Sequence, residues 1–359
     1  MTIAVPGQAR FSGRHALRSP IVVIGVLLGV LALAAAAAAS VGAAGIPLNR
    51  LPAALGIAQG DPATVARDQL VLWSIRLPRI ALAIIIGGLL AAGGTIMQGL
   101  FRNPLADPAL AGISPGAGLA AATAIVVGDR LLAASKTPLP FEVLPVTAIA
   151  GALITTTVLY RLATRSGRTS IATLLLAGIA IGALCNAGIG FLVFLADDRQ
   201  LRDITFWLLG SLGGATWGKV GAIAPFAALL LAGLPFIARG LDRIVLGEAE
   251  AFHMGVAVER LKRIAIVLVA ASTGAAVSVA GVIGFVGILV PHLLRLVIGP
   301  GHRLLLPAAL CLGAILLLIA DTFARVIAAP AELPIGIVTA AIGAPFFLSL
   351  LLRQRALVG

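Results

Sequence analysis

From Ile21 to Ile46 the chain runs without one charged residue. A helix gains 1.5 Å per residue, so such a run is long enough to cross the roughly 30 Å hydrocarbon core of a bilayer. It is one of many. Similar runs fill the chain, which is 60% hydrophobic and only 11% charged. Soluble domains carry roughly 25% charged residues. A chain this apolar cannot cover itself with a polar surface, so it reads as an all-α polytopic membrane protein.

Arg10, Arg14 and Arg18 precede the first run, and small residues follow it. That pattern resembles a signal peptide, but the run far exceeds a 7–15-residue signal core, so an uncleaved first span is expected. The candidate spans are 21–45, 80–101, 108–128, 143–160, 170–196, 220–238, 264–298, 304–320 and 335–352. The segment 264–298 would reach about 50 Å as one helix. Its glycines Gly281, Gly284 and Gly287 place a break near 282–285, giving spans 264–282 and 285–298 and a total of ten.

Charge tests that number. With both termini in the cytoplasm, the inner loops hold a net +11 and the outer loops +1 of the total +12. Nine spans divide the arginines less well. The asymmetry follows the positive-inside trend and places both termini inside. Basic residues sit singly or in threes between apolar runs, without interleaved aromatics, so the charge does not point to nucleic acid.

Three connections exceed a turn. Residues 47–75 and 197–219 are outer segments, whose patches Leu70–Trp73 and Ile204–Leu209 predict short interfacial helices, with Trp73, Trp207 and Trp217 as belt residues. Residues 239–263 are inner, too charged to span, and predict one or two short helices. One transmembrane domain over 1–359 is expected.

The chemistry is sparse. No phosphate-binding glycine loop precedes any of Lys136, Lys219 or Lys262. His15, His253, His292 and His302 are dispersed and read as loop or interface residues, and Cys185 and Cys311 as buried small residues. No zinc motif exists and no charge lies at a span centre for a proton relay. Asp321 and Arg325 are spaced for an i,i+4 ion pair. The chain reads as a pathway without its own engine: no enzyme, and no cofactor of its own.

Several long stretches carry a family resemblance. They include "RLPRIALAIIIGGLLAAGGTIMQGLFRNPLADPALAGISPGAG" (76–118), "LLLAGIAIGALCNA" (174–187), "FWLLGSLGGATW" (206–217), "LGEAEAFHMGV" (246–256), "GVIGFVGILVPHLLRL" (281–296), "ADTFAR" (320–325) and "ELPIGIVTAAIGAPFFLSLLL" (332–352). In this order they resemble the FecCD-type permeases, the ABC importer permeases of the vitamin B12, iron-siderophore and haem group. The likeness runs from about residue 70 to the end.

The resemblance implies a BtuC-like type II importer permease with ten transmembrane helices per subunit, working as a homodimer in the bacterial inner membrane. It implies two ATPase subunits on the cytoplasmic face, which would hold ATP and Mg, and a periplasmic substrate-binding protein. Arg76, Arg79 and Arg325 match the arginines that this family presents to acidic lobes of the binding protein; snorkelling to headgroups is the competing reading for the first two, and Asp321 is a rival partner for Arg325. Leu246, Gly247, Glu248, Ala249, Glu250, Phe252, Met254 and Gly255 look like the cytoplasmic coupling segment, with Leu246, Ala249, Phe252 and Met254 as its apolar face. An ordinary amphipathic connector is the alternative there. The region "DRQLRDITFWLLGSLGGATW" resembles haem permeases most; siderophore or cobalamin are the alternatives, and a passive channel or secondary transporter is a third reading of another class.

Overall fold

The computed structural model describes residues 19–42, 45–108, 112–128, 143–165, 168–329 and 331–355. Arg10, Arg14, Arg18, His15 and Lys136 lie outside them. The described chain is helical: α1 (Pro20–Ser40), α2 (Leu51–Ala54), α3 (Pro62–Val71), α4 (Leu77–Phe101), α5 (Ile113–Thr123), α6 (Val143–Ala163), α7 (Ile171–Leu195), α8 (Asp198–Leu209), α9 (Trp217–Ile244), α10 (Glu248–His253), α11 (Val258–Ala280), α12 (Val286–Ile298), α13 (His302–Ile327) and α14 (Ile335–Arg355). A two-stranded ribbon pairs β1 (Thr164–Arg165) with β2 (Arg168–Thr169).

Among the described residues, seven helices are long and apolar enough to cross a membrane: α1, the continuous Pro62–Phe101 helix, α6, α7, α9, α11 and α13. Three shorter apolar stretches, Ile113–Gly128, Val286–Ile298 and Ile335–Ser349, bring the described apolar helices to the ten read from hydropathy and charge.

Local signals set the helix starts. Asp61 caps α3 by accepting from the Thr64 N–H at 3.0 Å, with Pro62 in the first turn. Asp197 and Gln200 form a capping box on α8. Ser170 and Thr216 cap α7 and α9. Asn103 makes the turn after α4, its side chain accepting from the Leu105 N–H at 2.9 Å, as the Asn-Pro pair in 103–108 requires.

The expected bounds need correction in three places. The second span does not start at residue 80: α3 runs through a π turn over Leu72–Arg76 straight into α4, so the 62–75 segment is stacked on the span and does not lie apart from it. The ninth span does not stop at 320 but continues to Ile327 with Asp321 and Arg325 inside the helix. The sixth runs from Trp217 to Ile244, beyond 220–238 at both ends. The glycine break is observed: α11 ends at Ala280, Gly281 takes φ +71°, and Phe285 takes the left-handed φ +68° before α12.

α4 is the centre of the fold. Almost all of it is buried, against α13, α11, α12 and α9. Such burial needs small residues at the crossings, because lipid supplies no hydrophobic drive between helices. Gly87 of α4 meets the Gly313 backbone of α13, and Gly94 meets Gly287 of α12, each too closely for a Cβ. Gly190 of α7, by contrast, faces open space. α5 packs on α6 in the same way through Gly116, Gly151 and Thr155.

Candidate functional site

The two ends of the bundle carry different chemistry. At the end bearing α8, three arginines expected at an outer docking face come together with two acids. Arg79 of α4 holds Asp321 of α13 with its Nε (3.1 Å to both oxygens) and Nη2 (3.0 Å). Its Nη1 donates to Glu332, just before α14, at 2.7 Å. Arg325, one turn beyond Asp321, puts Nε 3.1 Å from Asp321 Oδ2, and its other nitrogens reach Thr322 and the Val41 carbonyl. Arg76 is buried and donates to the Ala39 carbonyl of α1.

The arginines are therefore not free guanidinium forks on the surface. Asp321 is 1% exposed and Arg79 10% by side chain, whereas Glu332 is 47% exposed. The i,i+4 pair of Asp321 with Arg325 forms, but it is one side of a triad with Arg79. A buried pair of this kind locks two helices together, since either charge alone would be costly there. Just above, Arg50 grips Asp68 of α3 with three contacts of 2.6–2.8 Å. Trp73 and Trp217 are half-exposed at the same end, where Trp217 donates to the Trp73 carbonyl at 2.9 Å.

At the opposite end, α10 stands between α9 and α11. Gly247 (φ +131°) and Gly255 (φ +80°) delimit it, in conformations that disfavour other residues. Ala251 is fully buried and points back into the bundle. Leu246, Phe252 and Met254 are exposed, as are Ala249 and Glu250, so the apolar face proposed from the sequence is turned outward. Beside it lies a groove of about 550 Å³ lined by Arg168, Phe252, His253 and Arg260.

Glu248 is different. It turns inward onto Lys262 of α11, which is 2% exposed and lies 2.7 Å from Glu248 and 3.1 Å from Glu259. The Lys262 ammonium also donates to the Thr169 carbonyl at 3.2 Å, while Glu259 accepts from the Thr169 N–H at 3.0 Å. One buried ammonium thus ties α10, α11 and the β ribbon together. Sequence reasoning missed Lys262. The i,i+3 spacing to Glu259 was the signal available, but nothing local pointed to Glu248 or Thr169.

Lys262→Met keeps the volume and removes the tie. Because both glutamates remain partly solvated, the fold is expected to survive. Amide exchange over 248–254 is expected to speed about tenfold, a loss of about 1.4 kcal/mol in local opening. Unchanged exchange rates there would remove Lys262 as the anchor.

Of the histidines, His302 is not an interface residue. It is buried at the start of α13, where Asp242 accepts from its backbone N–H at 2.7 Å and lies 2.9 Å from Nδ1. A cavity of about 500 Å³ beside it is lined by Gln98, Arg102, Asn103, Asp242 and Arg295.

Among the described residues, ten apolar helices, glycine-packed on the central α4, with an outward apolar knob on a short connector, define a multi-pass membrane protein. The chain matches the FecCD transport family over residues 27–353 and belongs to it. It is 47% identical to the hemin transport system permease protein HmuU of Yersinia pestis, over 79% of this chain and 84% of that protein. It is 44% identical to the cobalamin import system permease protein BtuC of Halobacterium salinarum, over 80% of this chain and 74% of that one. Among solved structures, one described as an inward-facing conformation of a metal-chelate type ABC transporter superposes with a TM-score of 0.80 at 30% identity, covering 93% of this chain and all of that one. The fold is BtuC-like, as the resemblance implied.

Proposed function

We propose that this chain is the permease subunit of an ATP-driven importer that carries haem from a periplasmic binding protein into the cytoplasm. It works as a homodimer of the type II class in the bacterial inner membrane, with both termini cytoplasmic. The end bearing α10 then faces two ATPase subunits, and the end bearing α8 faces the binding protein. The observation that carries the substrate is the 47% identity to a hemin permease across most of both chains. Cobalamin is the second reading, favoured by the 44% and 41% identities to cobalamin and vitamin B12 permeases of Halobacterium salinarum and Klebsiella pneumoniae.

Exposed Leu246, Phe252 and Met254 support the ATPase contact, since a cluster of apolar side chains on a connector marks a surface for a partner. ATP and Mg would sit on that partner. At the other end, Arg76, Arg79 and Arg325 serve as the docking cluster for acidic side chains of the binding protein, through Arg79 and the exposed edge of the cluster. The burial of Arg76 puts it behind that edge, as support. The test is reconstitution of the complex in liposomes with ATP-dependent uptake of haem, cobalamin and a ferric siderophore measured side by side. Haem uptake is expected to exceed the other two. Uptake of cobalamin without haem overturns the first reading, and uptake without ATP overturns the importer itself.

A further inference from the structure

Arg79 has two carboxylate partners of unequal standing. Asp321 takes the Nε and Nη2 edge, is almost wholly buried and is shared with Arg325. Glu332 takes Nη1 alone, through one oxygen, from a side chain that is half in solvent. It comes from the connection into α14, whose next fixed point is the Ile335 N–H donating to the Gly210 carbonyl at 3.0 Å. Its other oxygen lies over Gly213, where a Cβ would stand 2.9 Å away. Glu332 thus spans from α4 to the loop after α8.

The charges explain why it stays. Arg79 and Arg325 share Asp321, so the removal of Glu332 would leave two guanidinium groups facing one buried carboxylate. A second carboxylate is required at Arg79 Nη1, yet the one present is exposed and singly bonded. A pair with one partner half in solvent holds less firmly than the buried pair with Asp321. A carboxylate from outside could take its place with no net change of charge in the cluster.

We propose that Glu332 is an internal stand-in for a carboxylate of the docking partner: it fills the Arg79 position in the free permease and is displaced when the acidic lobe arrives. This rests on the reading of the arginine cluster as the docking site. Docking is then an exchange of carboxylates rather than the filling of an open site. It also frees Glu332 from α4 and lets the connection into α14 and the loop at Gly213 move independently of Arg79.

The test uses the full permease with its ATPase subunits in nanodiscs, as wild type, Glu332→Gln and Arg79→Gln. Two quantities are measured: the rate at which phenylglyoxal modifies Arg79, followed by mass spectrometry, and the affinity for the importer's purified substrate-binding protein. Glu332→Gln is expected to raise the modification rate of Arg79 and tighten docking about 3–10-fold, the scale of one exposed ion pair. Arg79→Gln is expected to weaken docking. If Arg79→Gln weakens docking while Glu332→Gln leaves it unchanged or weaker, the docking site stands and the stand-in role is wrong. If neither substitution alters affinity, the docking reading fails and takes this proposal with it. Glu332 is exposed, so its amide variant is compatible with the fold.

Discussion

Asp321→Asn is expected to lower the stability of the permease by about 3–5 kcal/mol. The carboxylate is 1% exposed and serves two arginines, one from its own helix and one from α4. An amide of the same shape removes the charge but leaves Arg79 and Arg325 facing each other where little water reaches them. Glu332 cannot compensate both, since it touches only Arg79 Nη1. The measurement is thermal unfolding of the detergent-purified protein. A loss under about 1 kcal/mol would mean that the cluster is solvated like a surface pair. The double variant Arg79→Met with Asp321→Leu is expected to recover part of the loss, because replacing buried charges by apolar groups of similar volume is far cheaper than orphaning one.

The second large effect concerns the crossing of α4 and α12. A Cβ on Gly94 would lie on the backbone of Gly287, its oxygen and Cα included, and backbone cannot rotate away. Gly94→Ala is expected to destabilise by about 1–3 kcal/mol or more, the range for overpacking. The reciprocal change is an internal control: a Cβ on Gly287 would be 3.2 Å from the Leu90 carbonyl and 3.4 Å from Gly94, tight but tolerable with small shifts. Gly287→Ala should therefore cost less. Gly190→Ala meets nothing and is expected to be neutral, or to gain up to about 1 kcal/mol from helix propensity. Equal losses at Gly94 and Gly190 in the same unfolding assay would reject close packing as the reason.

Hydropathy made most of the helices legible, because crossing a bilayer demands runs of about 20 apolar residues that little else produces. The break after Ala280 was legible for a different reason: one helix over 264–298 was too long, and glycines marked where it could unwind. The errors share a cause. Hydropathy treats a charge as the end of a span, so Asp321 and Arg325 truncated α13, although each is neutralised within the bundle. Polar residues and Pro62 likewise hid the continuity of α3 with α4.

The site was legible in part. Charge and length marked 239–263 as an inner segment of short helices, the resemblance narrowed it to the connector at 246–255, and the structure turns the apolar residues there outward. The burial of the arginines was not readable, because Arg79 lies 242 residues from Asp321 and 253 from Glu332. Nor was the Lys262 tie to Glu248 and Thr169, which depends on how three elements meet.

The π turn over Leu72–Arg76 has a consequence for how the α8 end is aimed. Each residue advances a helix by about 100°, and a π turn holds one residue more than the regular spiral needs. The widened turn absorbs that residue, so α3 keeps its phase with α4. Removing one residue from 72–76 would close the turn into a regular spiral with that phase kept, whereas one residue more would swing α3 through about 100° relative to α4. Asp68 would leave Arg50, and the Trp73 carbonyl would leave Trp217, with no apolar contact of α4 itself altered. The five residues act as an indexing joint: they keep the polar headpiece in register with a core that is fixed by glycines far below it.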